Sequence, residues 1–365
     1  MKAQSLFFNT RILKEISNQS SLTALHRSIE LSDKMMRCQS EFGNIALTLS
    51  DDNATGLANP VLLDAAALTG VAGTLSADAD ITFTENNRQV EWKSGMASGT
   101  MKIVYSDSAI DPLNHANYPW EPGKDFAHGL MLASSACQAA ATAVGLYGIV
   151  IEPENDDLVM MSSNSISLAC SRIQKGTYPA GTVTIRPPVP RILATFIDNC
   201  PNCKLDITNE GIFMKGDWLI AHLPLAIKLE HDLKPYITGY NSKLHQAAIN
   251  GDAVRKFITR ARTMMDKNTM FTIAIKVEKG NLVLQHTSVG ASTEEYFLAS
   301  DLDPNLKFDS VKMQADLIAT CLPYVDTAVF DYLGEPIGDP KNPAIVFYGK
   351  KAVDFTYVLG GGTQD

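Results

Sequence analysis

The chain has 365 residues, 45% hydrophobic and 19% charged, a soluble composition too long for one ordinary core, so two or three domains are expected. Thirty-one Lys and Arg stand against 40 Asp and Glu, a net charge of −9, which excludes nucleic-acid binding over the general surface and leaves room for a local basic face. No apolar run reaches the roughly 18 residues of a membrane span, and Leu6-Phe7-Phe8 after Lys2 is too short for a signal-peptide core, so a cytoplasmic protein is expected.

In chain order, Thr10–Ser17 predicts a short helix that buries Ile12, Leu13 and Ile16 and turns Arg11, Lys14 and Glu15 to water. Strands are expected at Ile29–Leu31, Lys34–Cys38 and Asn44–Ser50. Pro60 marks the first turn of a second helix, Val61–Leu68. A hairpin series follows at Asp80–Thr84, Val90–Lys93 and Gly99–Ile103. Asp111–Gly123, with three prolines, reads as a linker.

The middle of the chain repeats this order. A helix from Lys124 to Val144, with Asp125 as its N-cap, carries Phe126, Leu130, Ala133, Cys137, Ala140, Ala141 and Val144 on one stripe. Strands follow at Ile149–Glu152, Leu158–Met161 and Ile166–Cys170, then a helix after Pro187-Pro188 with Val189, Ile192, Leu193, Phe196 and Ile197 at helical spacing. Lys204–Thr208, Ile212–Lys215 and Trp218–His222 close the unit around the turn Asn209-Glu210-Gly211.

The last third gives the order again: a helix from Gly251 to Met265, strands at Phe271–Val277, Asn281–His286 and Glu294–Ala299, a helix at Lys312–Leu322, and strands at Ala328–Tyr332, Ala344–Tyr348 and Phe355–Leu359. The strands after each second helix begin near Ile81, Leu205 and Val329, evenly spaced 124 residues apart. Three diverged copies of one α+β unit, each two helices packed on antiparallel strands, account for that spacing. Their boundaries fall at 1–121, 122–236 and 237–365.

Chemistry-bearing motifs are sparse. There is no Gly-rich phosphate loop, no His-Glu-x-x-His and no Gly-x-Ser-x-Gly, and the seven histidines are dispersed. Cys200-Pro201-Asn202-Cys203 has a metal or redox spacing, yet no second pair or nearby His completes four ligands, so a turn with two thiols is the leading reading. No catalytic residue, metal or cofactor is expected. A β-rich structural or virion protein is the alternative to the reading that follows.

Particular segments resemble a known family. Leu146-Tyr147-Gly148-Ile149-Val150-Ile151-Glu152 followed by Leu158-Val159-Met160-Met161-Ser162-Ser163-Asn164, Pro235-Tyr236, and the terminal Tyr357-Val358-Leu359 stand in the order and spacing of the DNA polymerase sliding clamp, in its bacterial β-subunit form or a virus-encoded version. The family's Thr-Asp-Gly corner is Ser-Ser-Asn here. The resemblance implies three clamp domains per chain, a homodimer closed head to tail into a ring around double-stranded DNA, and a DNA polymerase and clamp loader held through short peptide motifs, without catalysis.

For the DNA-facing surface, the stripe Val254, Phe257, Ile258, Ala261 and Met265 leaves Arg255, Lys256, Arg260 and Arg262 on the opposite helix face. Arg11, Lys14, Arg191 and Lys312 are expected on the other lining helices. Mobile cations of this kind give weak, sequence-independent and salt-sensitive attraction to phosphates. The resemblance also implies a partner-peptide pocket of Leu146, Ser162, Asn164, Leu168, Pro235, Tyr240, Val358 and Leu359. Gly360-Gly361-Gly362 stands where the family has Met-Pro-Met, which makes that pocket shallower.

Overall fold

The computed structural model describes residues 1–17, 20–137, 148–164, 166–226, 233–234, 246–264, 271–278, 281–288, 291–297, 311–322, 327–333, 344–350, 353–360 and 362–363. Its first third runs α1 (Ala3–Ile16), β1 (Ser28–Leu31), β2 (Met35–Ser40), β3 (Gly43–Thr48), β4 (Val61–Asp64), α2 (Ala65–Thr74), β5 (Thr82–Asn86), β6 (Gln89–Ser94) and β7 (Ala97–Lys102). The middle runs α3 (Lys124–Ala133), β8 (Ile149–Glu154), β9 (Asp157–Ser163), β10 (Ser167–Gln174), β11 (Val183–Ile185), α4 (Val189–Asn199), β12 (Lys204–Thr208), β13 (Gly211–Lys215) and β14 (Leu219–Leu223). The last third runs β15 (Gln246–Asn250), α5 (Gly251–Thr263), β16 (Thr272–Glu278), β17 (Asn281–Ser288), β18 (Ala291–Phe297), β19 (Val311–Gln314), α6 (Ala315–Cys321), β20 (Thr327–Leu333), β21 (Ala344–Lys350), β22 (Asp354–Gly360) and β23 (Gly362–Thr363).

The repeat is therefore helix, three strands, a short strand, helix, three strands. In each copy the short strand pairs antiparallel with the first strand: β4 with β1, β11 with β8, β19 with β16. In each copy, too, the residues just before the first helix pair with those that open the last strands, as Lys2 with Asp80, Trp120 with Leu205, and β15 with β20.

Five of the sequence expectations are corrected by these elements. Val61–Leu63 is strand, because it completes the β1 ladder, and the helix starts only at Ala65, where the Asp64 carboxylate accepts the Ala67 N–H at 2.8 Å as an N-cap. Lys312 is likewise in a strand, opposite Ala274, and α6 begins at Ala315. The helix from Lys124 stops at Ala133, since the Ser134 and Ser135 hydroxyls donate back to the Leu130 and Leu132 carbonyls at 2.7 and 2.6 Å and a 3-10 turn follows; Ala140, Ala141 and Val144 lie outside the described residues. Asp125 lies inside the first turn of α3, not at its cap, where its charge favours the positive helix end. In the opposite sense, α1 is longer than expected, because Ala3, Leu6 and Asn9 continue its buried face toward the N-terminus.

The chain separates into two compact units: Met1–Lys124 with Thr177–Ala180 and Pro188–Ala226, and Asp125–Gly176 with Gly181–Pro187 and Ile227–Asp365. Neither coincides with one repeat, because strand pairing runs across the repeat boundaries. In the first unit one sheet has the order β12-β13-β14-β3-β2-β1-β4 and another β5-β6-β7. In the second, an eight-stranded sheet has the order β11-β8-β9-β10-β22-β21-β20-β15 and a five-stranded one β18-β17-β16-β19-β23.

Both large sheets are joined in the same way: the last strand of one repeat pairs with the third strand of the repeat before it, β14 with β3 and β22 with β10. At the first junction Gly43 (φ +145°) has no Cβ, and one placed there would meet the His222 carbonyl at 2.8 Å. Under the sheets, Leu6, Leu13 and Ile16 of α1 are fully buried in the first unit, and Phe257, Tyr357, Leu359 and Ile318 in the second. Each such side chain stabilises the fold by roughly 1.5–3 kcal/mol.

Candidate nucleic-acid interface and partner pocket

Helix α5 carries the expected basic face. Asn250 caps it, its side-chain oxygen accepting the Asp252 and Ala253 N–H groups at 2.9 and 3.3 Å, and Val254, Phe257, Ile258 and Ala261 are buried as the stripe requires. Met265 lies outside the described residues. Arg255, Lys256, Arg260 and Arg262 are all exposed.

The charges on that face are largely answered within the protein. Arg255 pairs with Asp252 at 2.7 Å, Arg260 with Glu295 of β18, and Arg262 with Asp316 at the start of α6. The Arg262 guanidinium also lies 5.6 Å from the Phe271 ring centre. These are solvent-exposed pairs, each worth little and exchangeable for another anion. Sequence reading missed the pairing because Glu295 and Asp316 are 35 and 54 residues from their partners.

Arg11 of α1 and Arg191 of α4 line one cleft of about 190 Å³ together with Phe8, Ile12, Glu15, Ile192 and Thr195. Arg191 Nη2 lies 3.8 Å from Glu15 Oε1. Lys14 is exposed in the last turn of α1, where a cation also favours the negative helix end. Lys312 is exposed on β19 and so does not belong to a lining helix. Helix α2 has no charged residue along its length.

Of the partner-pocket residues, Leu146, Pro235 and Tyr240 lie outside the described residues. Leu168 and Val358 are brought directly opposite each other across the β10–β22 pair. Leu168 is 7% exposed. Asn164 forms the corner before it, its Oδ1 accepting the Ile166 and Ser167 N–H groups at 3.1 and 2.7 Å.

Two of the expected pocket residues face inward instead. Ser162 is fully buried and its hydroxyl donates to the Ala133 carbonyl, tying β9 to the end of α3. Leu359 is fully buried in the core of the second unit, and its backbone pairs with Ser167 and Ile345. Leu359 shares its inward face with Tyr357 two residues before it, as the two-residue period of a strand requires. Gly360 and Gly362 lead from β22 into β23, which pairs with Lys312. Lys234, at the start of the second linker, is anchored by Glu152 at 2.9 Å.

Cys200 caps the end of α4 and Cys203 precedes β12, both as buried free thiols. Burial pushes Cys203 up to about 12, the opposite of what a reactive or metal-bound thiolate needs. Among the described residues no group of three His, Cys, Asp or Glu could hold a metal ion.

No protein-family model and no curated protein sequence matches this chain. Its structure is similar to that of the Caulobacter crescentus beta sliding clamp, with a TM-score of 0.74 and 12% identity over 100% of this chain and 98% of that one. The DnaN sliding clamp of Bartonella birtlesii, bound to griselimycin, gives 0.74 and 12% over the same shares. That of Pseudomonas aeruginosa, also bound to griselimycin, gives 0.72 and 11% over 100% and 98%. The fold of this chain, from end to end, is the α+β sliding-clamp fold.

Proposed function

We propose that this chain is a DNA sliding clamp: two copies close head to tail around double-stranded DNA, hold it without reading sequence, and tether a DNA polymerase and other replication proteins. The observation that carries the reading is the strand left over at each end of the repeat series. The two junctions within the chain each join a last strand to a third strand, β14 to β3 and β22 to β10. Only β7 and β18 remain without such a partner among the described sheets. A second copy supplies the missing neighbour for each, which makes two equal interfaces and removes two open sheet edges.

On this reading the domains are 1–121, 122–236 and 237–365, and their six helices per chain face the DNA. Arg11, Lys14, Arg191, Arg255, Lys256, Arg260 and Arg262 supply its cationic contacts, several of them by exchanging a protein carboxylate for a phosphate. Partner peptides dock beside Leu168 and Val358, at the junction of the middle and last domains, where a few apolar anchors carry most of the affinity. The protein works in the cytoplasm as a tether and does no chemistry. Sedimentation equilibrium tests the assembly: twice the chain mass is expected, and a strict monomer or a trimer at micromolar concentration contradicts it.

A further inference from the structure

A cavity of about 320 Å³ in the first unit lies where Asp111–Asn114 of the first linker crosses the β2–β3 hairpin and the facing ends of β13 and β14. Asn44, on its wall, is 7% exposed. The Asn44 Nδ2 donates to the Asp111 carbonyl at 2.8 Å, which fixes the orientation of the amide, since two carbonyl oxygens cannot bond each other. Oδ1 is then left buried with no hydrogen-bond partner, an uncompensated desolvation that an arriving donor relieves.

The charged side chains of the lining are acidic. The carboxylates of Glu41 and Asp111 stand at the cavity, Glu41 3.4 Å from His26 Nδ1 and Asp111 accepting the Gln39 Nε2–H at 2.6 Å, exposed contacts that a guanidinium can replace, and no Lys or Arg lines it. His222 Nε2 donates to the Glu210 carbonyl at 3.1 Å, which fixes the ring at the cavity wall. The wall is stiff: the His115, Phe213 and His222 rings stack at 4.0 and 4.5 Å, and His115 is held by Asp206 at 2.8 Å.

We propose that this cavity binds the arginine side chain of a short peptide segment of a partner protein. Its acceptors are several and separated, which suits the fork of five guanidinium donors better than the point charge of an ammonium group. Leu113 and Pro224 on the same wall offer apolar surface to the aliphatic stem and the flanking peptide. The volume is that of a small ligand pocket rather than of one water. In the repeat, Asn44 opposite His222 occupies the place that Leu168 opposite Val358 occupies at the other junction, so the two junctions carry sites of contrasting polarity. The proposal does not depend on ring closure.

Fluorescence anisotropy of the full chain with a labelled Gly-Ser-Gly-Arg-Gly-Ser peptide tests it. Replacing the peptide's arginine by citrulline, which keeps the shape and loses the charge, is expected to weaken binding at least about tenfold. Asn44→Leu is expected to abolish it. Because Asn44 is buried and that variant can fail to fold, Glu41→Gln with Asp111→Asn, both exposed, provides a folded second test, expected to weaken binding at least about fivefold with an unchanged melting temperature. Equal binding of the citrulline peptide, or full binding by the exposed double variant, overturns the proposal. So does tighter binding of spermidine than of the arginine peptide.

Discussion

Asn44 on β3 lies directly opposite His222 on β14, and in the proposed dimer the same register sets where the leftover strands meet. Asn44 is one residue past Gly43, which opens β3 opposite Ser40; Ser292 is one past Ala291, which opens β18 opposite Ser288. His222 faces Phe213, two residues into β13; Thr100 faces Glu91, two residues into β6. In the proposed dimer, Thr100 and Ser292 are therefore the equivalent pair across the subunit interface. Both are exposed.

Thr100→Cys and Ser292→Cys in the same chain should form an intermolecular disulfide on mild oxidation, since opposed strand residues lie within disulfide reach. Non-reducing electrophoresis should show a covalent dimer closed at both interfaces. Crosslinking by either single variant as efficient as by the double variant would mean a different register.

The ion pairs on α5 give the basic face a sign test. Arg255, Lys256, Arg260 and Arg262 changed to Ser should leave the fold intact, because none belongs to the buried stripe, and should flatten the salt dependence of DNA binding by up to about 0.9 in log–log slope per lost phosphate contact. Glu295→Gln with Asp316→Asn, which frees Arg260 and Arg262, should do the reverse, tightening binding and steepening the slope. Weaker binding by the carboxylate variant would mean that these arginines do not face DNA.

Leu359→Ala should lower stability by ~2–5 kcal/mol, as for a fully buried leucine. Urea unfolding measures it. A loss under ~1 kcal/mol would return Leu359 to the pocket wall. For the same reason, truncation after Tyr357 removes the end of a strand paired on both sides, so lost peptide binding in that variant is expected together with lost stability.

Burial pushes the Cys38, Cys170 and Cys203 thiols up to about 12 from the ordinary 9.0. A raised folded-state pKa contributes stability that is complete below the unfolded value and is lost as pH climbs from about 9 toward 12, because the unfolded chain then holds fewer protons. Urea midpoints at about pH 7.5 and 10.5 should thus fall further for the wild type than for a triple Cys→Ala variant. An equal fall would show that these thiols ionise in the folded protein.

The repeat was legible because its apolar periods switch between helical and strand spacing three times at even intervals, and Val189–Ile197 and Val254–Ala261 needed no tertiary information. What sequence could not show was the short strand before each second helix. Val61–Leu63 and Lys312–Gln314 run into the following helix without a Gly or Pro break, and a segment of three residues reads equally as helix or strand; only pairing with β1 and β16 decides it. The end of α3 was hidden for a related reason, since apolar spacing continues past the two serines that break it. At the sites, the resemblance named Leu168 and Val358 but not their pairing across two strands, and the carboxylate partners of Arg260 and Arg262 and the stack of His115 on Phe213 join residues far apart in sequence. The Phe213–His222 contact alone had a sequence signal, as facing positions of one hairpin.

Topological capture tests the clamp reading most directly. The Thr100→Cys, Ser292→Cys chain is oxidised in the presence of a circular plasmid and passed over a sizing column in about 1 M salt, where screening cuts the Debye length to about 3 Å and removes charge attraction. The closed ring should travel with the circle and be lost once the plasmid is cut at a single site. Loss from circular and linear DNA alike, or retention on both, would contradict encirclement.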